Sequence, residues 1–258
     1  MLEFIKQQLS RLVEFILPAQ CLLCGLKNEP CDKTRVHHLK NSIDTELICD
    51  ICSDSMIKER ACCQHCSLSL PKSQAFCGDC LKQPHYFSSI HAIGDYHSPF
   101  SSLIKKFKYS QNLLEGELLG ILLVRSILFN FSDNKIGDVD YLLPVPLHLD
   151  KLRKRGFNQA MLIAQVVSKA LTIPILDNTV IRNKKTIPQE GLFLNERKKN
   201  LQGAFSVNNI QTLKEKHIVI IDDVVTTGAT VNSLCKVLFE KNAKQVDIWC
   251  ISRTSLKV

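Results

Sequence analysis

No stretch of this 258-residue chain is apolar for 18 residues or more, so the sequence holds no helix long enough to span a bilayer core. The opening Met1–Leu17 lacks the compact apolar region and small-residue cleavage site of an export signal. Its apolar residues Leu2, Ile5, Leu9, Leu12, Val13 and Ile16 follow helical spacing up to Pro18, which predicts an amphipathic helix over 1–18 packed on the body of the protein. Cysteine is scarce over most of the chain: beyond Cys80 only Cys235 and Cys250 remain, each among apolar residues, where a thiol acts as a small core side chain. Of the twelve cysteines, ten lie between Cys21 and Cys80, and eight of those form four C-x-x-C pairs. This is metal spacing in a reducing compartment and not a disulfide framework. The chain is therefore expected in the cytoplasm without stable membrane insertion.

Acidic residues are few in one segment. Residues 1–90 carry ten Lys/Arg and ten Asp/Glu, whereas residues 151–200 carry eleven against three, a difference of eight that equals the net charge of +8. A local positive field suits a polyanion, either nucleic acid or a pyrophosphate.

The pairs are Cys21/Cys24, Cys49/Cys52, Cys63/Cys66 and Cys77/Cys80. Each C-x-x-C turn presents two thiolates to one side of an ion, so two turns close a tetrahedral Zn²⁺ shell. Four turns make two sites. With all four positions filled by sulfur no place remains for a reactive water, so both ions are structural. Spacing leaves the pairing open, sequential or interleaved. Cys31 and Cys62 are left over, and His37, His38 and His65 are read as neighbours of the metal loops and not as ligands.

After Pro84 the composition changes. Strands are expected at Ser89–Tyr96, in Asp138–Leu147, at Ile173–Ile181, before Val207 and at Val246–Ser252, and helices at Phe100–Phe107, Leu113–Phe129 and Gly156–Leu171. This alternation predicts an α/β domain over 85–258 with a parallel sheet, behind a small cysteine-rich domain over 19–84. Ligands of such sheets bind beyond the carboxyl ends of the strands.

One stretch meets that description: His217-Ile-Val-Ile-Ile-Asp222-Asp223-Val-Val-Thr226-Thr227-Gly228-Ala229-Thr230. Four consecutive aliphatics predict a strand buried on both faces that ends at two carboxylates. The Thr/Gly turn then opens a helix through Val231, Leu234, Val237 and Leu238, and free N–H groups at a helix start suit a phosphate. The order resembles the 5-phosphoribosyl-1-pyrophosphate (PRPP) motif of type I phosphoribosyltransferases. That resemblance implies that Asp222 and Asp223 hold the ribose hydroxyls and that Thr226, Thr227, Gly228, Ala229 and Thr230 hold the 5-phosphate, with Mg²⁺ arriving on the PRPP phosphates and needing few protein ligands.

Further blocks narrow the resemblance: Pro144-Val145-Pro146-Leu147-His148, Arg153-Lys154-Arg155-Gly156-Phe157-Asn158-Gln159-Ala160, Lys185-Thr-Ile-Pro-Gln189 with Arg197, Asn200, Gly203, Ala204 and Phe205, the basic pair Lys106 and Lys108 around Phe107, and the cysteine-rich front. From Leu17 onward the chain resembles the ComF family, which joins a double zinc ribbon to a type I phosphoribosyltransferase fold and is linked to DNA uptake in natural competence. It departs from the family at Ser67, where a glycine is usual, and in extra length over Asp32–Asp44.

The resemblance implies a PRPP-binding protein with Val145 beside the ligand and with Arg182, Lys184, Lys185 and Arg197 in a catalytic loop facing the departing pyrophosphate. The acceptor is not written in the sequence. The competing expectation is a non-catalytic adaptor that binds single-stranded DNA through Lys106, Lys108, Lys151, Arg153, Lys154 and Arg155, with Phe107, Tyr109 and Phe157 stacking bases, while the ribbons hold a competence helicase or another uptake protein.

Overall fold

The computed structural model describes residues 20–27, 47–83, 85–109, 113–183, 203–208 and 213–254. The chain divides into two compact units, Met1–Ile57 and Lys58–Val258. The helix expected over 1–18 lies outside the described residues, as do Cys31, His37 and His38.

In the smaller unit a turn at Cys21–Gly25 is closed by the Gly25 N–H donating to the Cys21 carbonyl at 2.8 Å. Helix α1 (Asp50–Met56) starts directly after Cys49, so one cysteine pair lies on a turn and the other at a helix start.

The larger unit repeats that device. A turn over Cys63–Ser67 is closed by Ser67 N–H to the Cys63 carbonyl at 2.8 Å, and α2 (Gly78–Lys82) begins after Cys77. Then follow β1 (Ser89–Asp95), α3 (Phe100–Tyr109), α4 (Leu113–Asn130), α5 (Asp133–Gly137), β2 (Tyr141–Pro144), α6 (Leu149–Arg155), α7 (Gln159–Leu171), β3 (Val180–Arg182), β4 (Phe205–Val207), β5 (His217–Val225), α8 (Ala229–Phe239) and β6 (Gln245–Arg253). All neighbours in the main sheet, ordered β1-β6-β5-β2, run parallel.

Parallel strands lie inside, and β5 shows why its sequence is continuously aliphatic. Ile218, Val219, Ile220 and Ile221 are all fully buried, each worth roughly 1.5–3 kcal/mol of burial. Side chains alternate across a strand. Ile218 and Ile220 share a cluster with Ile248 and Cys250 of β6 and with Val231, Leu234 and Leu238 of α8. Val219 and Ile221 face the other way, on the side where α7 packs against β5 and α4 packs against α7.

Three expectations are corrected. Strand β5 does not end at the two acids but runs through them to Val225, because β6 pairs with it as far as Val225↔Arg253. The segment expected as a single strand over Ile173–Ile181 is broken. Ile175 bridges Leu142 at the edge of the parallel sheet, Asn178 turns with φ +55°, and only then does β3 form, antiparallel to β4. The helix expected from Gly156 begins at Gln159, capped by Asn158, because Gly156 takes a left-handed φ of +80° and terminates α6.

Candidate functional site

The carboxyl end of β5 and the turn behind it form a small hollow, open to solvent and lined by Asp222, Val224, Thr226, Gly228, Ala229 and Thr230 among others. Gly228 sits there with φ +76° as the cap of α8, a conformation that carries a penalty for any residue with a Cβ. The Ala229 N–H donates to Thr227 Oγ1 at 3.3 Å. Thr226, Ala229 and Thr230 thus line the hollow at the start of α8, where the amide groups of a helix N-terminus suit an anion.

Alternation along β5 separates the two acids. Asp222 lines the hollow, whereas Asp223 is buried and meets Lys108 of α3, whose Nζ lies 2.5 Å from its Oδ2. Burial works against the charge on Lys108, but Asp223, by charge and hydrogen bond, and Asp222 together hold its pKa above the usual lysine value. Asp222 is pushed up to about 8, first by burial of its carboxyl and then by the negative charge of Asp223.

Besides Lys108, Arg182 lies near enough to this acidic pair to feel Asp222. Arg182 is buried at the end of β3, its guanidinium 5.5 Å from the centre of the Phe205 ring; burial pulls its pKa down and Asp222 opposes that. Lys151 of α6 is lowered by burial and then by Arg182, Arg155 and Lys108. Lys151 thus feels three other cations, and Lys108 feels Arg155 as well, so positive side chains crowd this end of the sheet. Such crowding of like charge is relieved by a bound polyanion.

The other sequence-derived residues fall as follows. Val145 is buried, its N–H donating to the Ile221 carbonyl at 2.9 Å and its carbonyl accepting from Asn158 Nδ2 at 3.1 Å, so it fixes the neighbouring strand end and offers no free polar group. Arg153 and Lys154 are exposed on α6, and Lys106 is exposed on α3. Lys184, Lys185 and Arg197 lie outside the described residues. Phe107 cannot stack a base as expected: it is fully buried, with Phe157 at 5.4 Å between ring centres.

Both cysteine groups close sequentially, which spacing left open: Cys21, Cys24, Cys49 and Cys52 in one, Cys63, Cys66, Cys77 and Cys80 in the other, with the ligand atoms of each group within 4.8 Å of one another. A tetrahedral ion with metal–sulfur bonds of about 2.3 Å places its sulfurs roughly 3.8 Å apart. The Sγ separations of 3.9 Å for Cys24–Cys49 and 3.7 Å for Cys66–Cys77 fit that shell, so each group could hold a metal ion. Cys62 stands beside the second group and outside it.

Ser67, the departure from the family glycine, accounts for itself. It adopts φ +58°, and its hydroxyl accepts from the Ala92 N–H at 3.2 Å and from Arg60 Nη2 at 2.6 Å, bonds a glycine could not make. Together they tie the second cysteine group to β1.

Sheet, acidic strand end and left-handed Gly turn capping a helix define a phosphoribosyltransferase fold, and residues 153–254 match the family described as phosphoribosyl transferase domain. The DNA utilization protein YhgH of Escherichia coli K12 is 33% identical over 207 residues, covering 80% of this chain and 90% of its own. Competence protein F of Haemophilus influenzae is 33% identical over 177 residues, 68% of this chain and 77% of its own. The chain belongs to this competence protein F and YhgH family. Among the described residues no helix is long and apolar enough to cross a membrane.

Proposed function

We propose that this protein binds PRPP at the β5–α8 turn and serves the uptake or use of DNA, the role that the names of its relatives carry. One observation supports the ligand above others: Asp222, left-handed Gly228 and the amide-bearing start of α8 line one hollow, while Lys108 pairs with the adjacent Asp223 and Arg182 feels the charge of Asp222. In this reading Thr226, Thr227, Gly228, Ala229 and Thr230 take the 5-phosphate by amide and hydroxyl donation, and Asp222 accepts from a ribose hydroxyl. Asp223 reaches the sugar by giving up Lys108, which is then free for the pyrophosphate beside Arg182. Mg²⁺ arrives on the phosphate oxygens and neutralises them, as its preference for shared oxygen ligands dictates. Lys184, Lys185 and Arg197, outside the described residues, are the further cations this reading assigns to the departing pyrophosphate, where stabilising developing charge is the rate contribution they can make. Zn²⁺ is the ion whose size and ligand preference fit both cysteine groups.

Exposed Arg153 and Lys154 support a second role for the same unit, weak sequence-independent contact with single-stranded DNA, and the exposed Leu22, Leu26 and Ile51 of the first metal-binding unit offer apolar surface to a helicase or another uptake protein.

Calorimetry with PRPP and Mg²⁺ tests the ligand. Asp222→Asn removes a charge-assisted hydrogen bond where the carboxyl is ionised, so in titrations above pH 8 its affinity is expected to fall about tenfold while folding survives. Gly228→Val is expected to abolish binding by straining the turn. An Asp222→Asn variant that binds as wild type does, or a wild type that binds no PRPP, overturns the reading.

A further inference from the structure

The start of the phosphate turn is held from behind by the second cysteine group. The Val225 carbonyl, last of β5, accepts from Arg253 Nη1 at 3.0 Å and from the Thr254 N–H at 3.0 Å. The same Arg253, itself buried, donates from Nε to the carbonyl of Cys66 at 3.1 Å. One guanidinium thus bridges a metal-group residue and the residue before Thr226.

A second connection runs parallel to the first. Phe87 is buried against the left-handed turn, with a ring carbon 4.0 Å from the position a Cβ would take on Gly228. Its ring stacks on His65, inside the Cys63–Cys66 turn, at 4.9 Å between centres, and on His85 at 4.7 Å. Next to it the Tyr86 N–H donates to Asn232 Oδ1 in the first turns of α8 at 2.6 Å. The Cys63–Cys66 turn therefore reaches Val225 through Arg253 and Gly228 through Phe87, while Tyr86 beside Phe87 holds Asn232.

We infer that Arg253 and Phe87 are positioning residues that couple metal in the second cysteine group to phosphate binding at the β5–α8 turn. Neither touches the ligand. A planar guanidinium suits this task because its fixed fork meets two carbonyls at once, and lysine offers one point of charge. With metal bound, the Cys63–Cys66 turn is rigid and so are the two anchors of the phosphate turn; without it, the Cys66 carbonyl and the His65 ring lose their fixed place and the turn loses its shape. Coupling is reciprocal: if metal raises affinity for the phosphate ligand, that ligand must raise retention of the metal by the same factor.

The inference rests on PRPP as the ligand of the turn, and the test separates the two. Full-length protein loaded with Zn²⁺ is titrated with a chelator in the presence and absence of saturating PRPP and Mg²⁺, and the zinc released is counted. In wild type, PRPP is expected to raise the chelator concentration needed to release one of two zinc ions by about fivefold or more, within the ordinary range of coupling between sites, and to leave the other unmoved. In Arg253→Met, PRPP affinity falls about tenfold and protection of zinc at saturating PRPP is lost. Arg253→Lys keeps the charge without the bridge and serves if the Met variant fails to fold; it is expected to show the same loss of protection. A variant that is merely less stable would release both zinc ions earlier with or without PRPP. PRPP binding that leaves the release of both ions unchanged in wild type, or an Arg253→Lys protein that protects its zinc as wild type does, overturns the coupling alone. A wild type that binds no PRPP overturns the ligand reading and the coupling with it.

Discussion

Nζ of Lys108 lies 2.5 Å from Oδ2 of Asp223, so the inner acid of the motif is already paired with a cation drawn from a helix 115 positions earlier in the chain. The side chains are 22% and 11% exposed, which places the pair between a surface bridge and a buried one. If PRPP binds as proposed, its binding at this strand end would be an exchange of partners, in which the lysine trades a carboxylate for a phosphate oxygen.

Removing only one member leaves a charge short of its partner. Asp223→Asn is expected to cost about 1–3 kcal/mol of stability, and Lys108→Met with Asp223→Asn to recover most of it, because the penalty is the stranded ammonium and not the lost attraction. Urea denaturation of the two single variants and the double variant measures the coupling. Strictly additive losses would show that the two side chains ignore each other.

Asp222 gives the fold a pH dependence of defined sign. Its pKa is about 8 in the folded protein, raised by burial and by Asp223 from 3.8, so the folded state holds this proton more tightly than the unfolded chain does. The stability it contributes is complete below pH ~4 and is lost as pH rises toward 8. Asp222→Asn, neutral throughout, is expected to gain on wild type by on the order of 1–3 kcal/mol above pH 8 and by nothing near pH 4. Denaturation curves at the two pH values check it; a difference that does not change with pH contradicts it.

The two cysteine groups are expected to answer differently to loss of metal. Cys63, Cys66 and Cys77 belong to the cluster that contains Ile218, Ile220 and Leu234, whereas Cys21, Cys24, Cys49 and Cys52 lie in the separate smaller unit. Cys77→Ser should lower the melting temperature of the larger unit by several degrees, since losing a structural metal removes folding free energy. Cys49→Ser should leave that transition in place. Scanning calorimetry with zinc analysis distinguishes them, and equal shifts would refute the division.

Arg153→Gln with Lys154→Gln should weaken binding of single-stranded DNA and flatten its dependence on salt, as expected when two phosphate contacts are lost. Fluorescence anisotropy at several salt concentrations measures both. Unchanged slope and affinity would remove α6 from any nucleic-acid surface.

The sequence told the truth where the physics is local. Ile218–Ile221 read as a buried parallel strand because each side chain has an apolar neighbour on either face, and Gly228 read as a turn glycine because the amides after it need the left-handed bend. It was silent where the partner lies far along the chain. Lys108 and Asp223 share no pattern, so the lysine read as a spare charge for nucleic acid and its neighbour Phe107 as an exposed ring; only the packing of α3 against the sheet shows one paired and the other buried. The pairing of the C-x-x-C turns was closed to spacing because either arrangement satisfies it. Arg253 carried no motif at all, being the last residue of β6, and its importance follows solely from register with Val225.

The ties from Ser67 and Arg60 to β1, and from Arg253 to Cys66, decide where this chain can be divided. Drawn by motif, a border after Pro84 would offer the cysteine-rich front as a cassette to be gained, swapped or dropped. Here that border cuts through a core: a chain starting at residue 85 would expose Phe87, Ile90 and the back of the phosphate turn to water. A truncation that keeps the larger unit whole is therefore expected to begin near Lys58, where the two compact units divide, so that the wall behind Val225 stays in place.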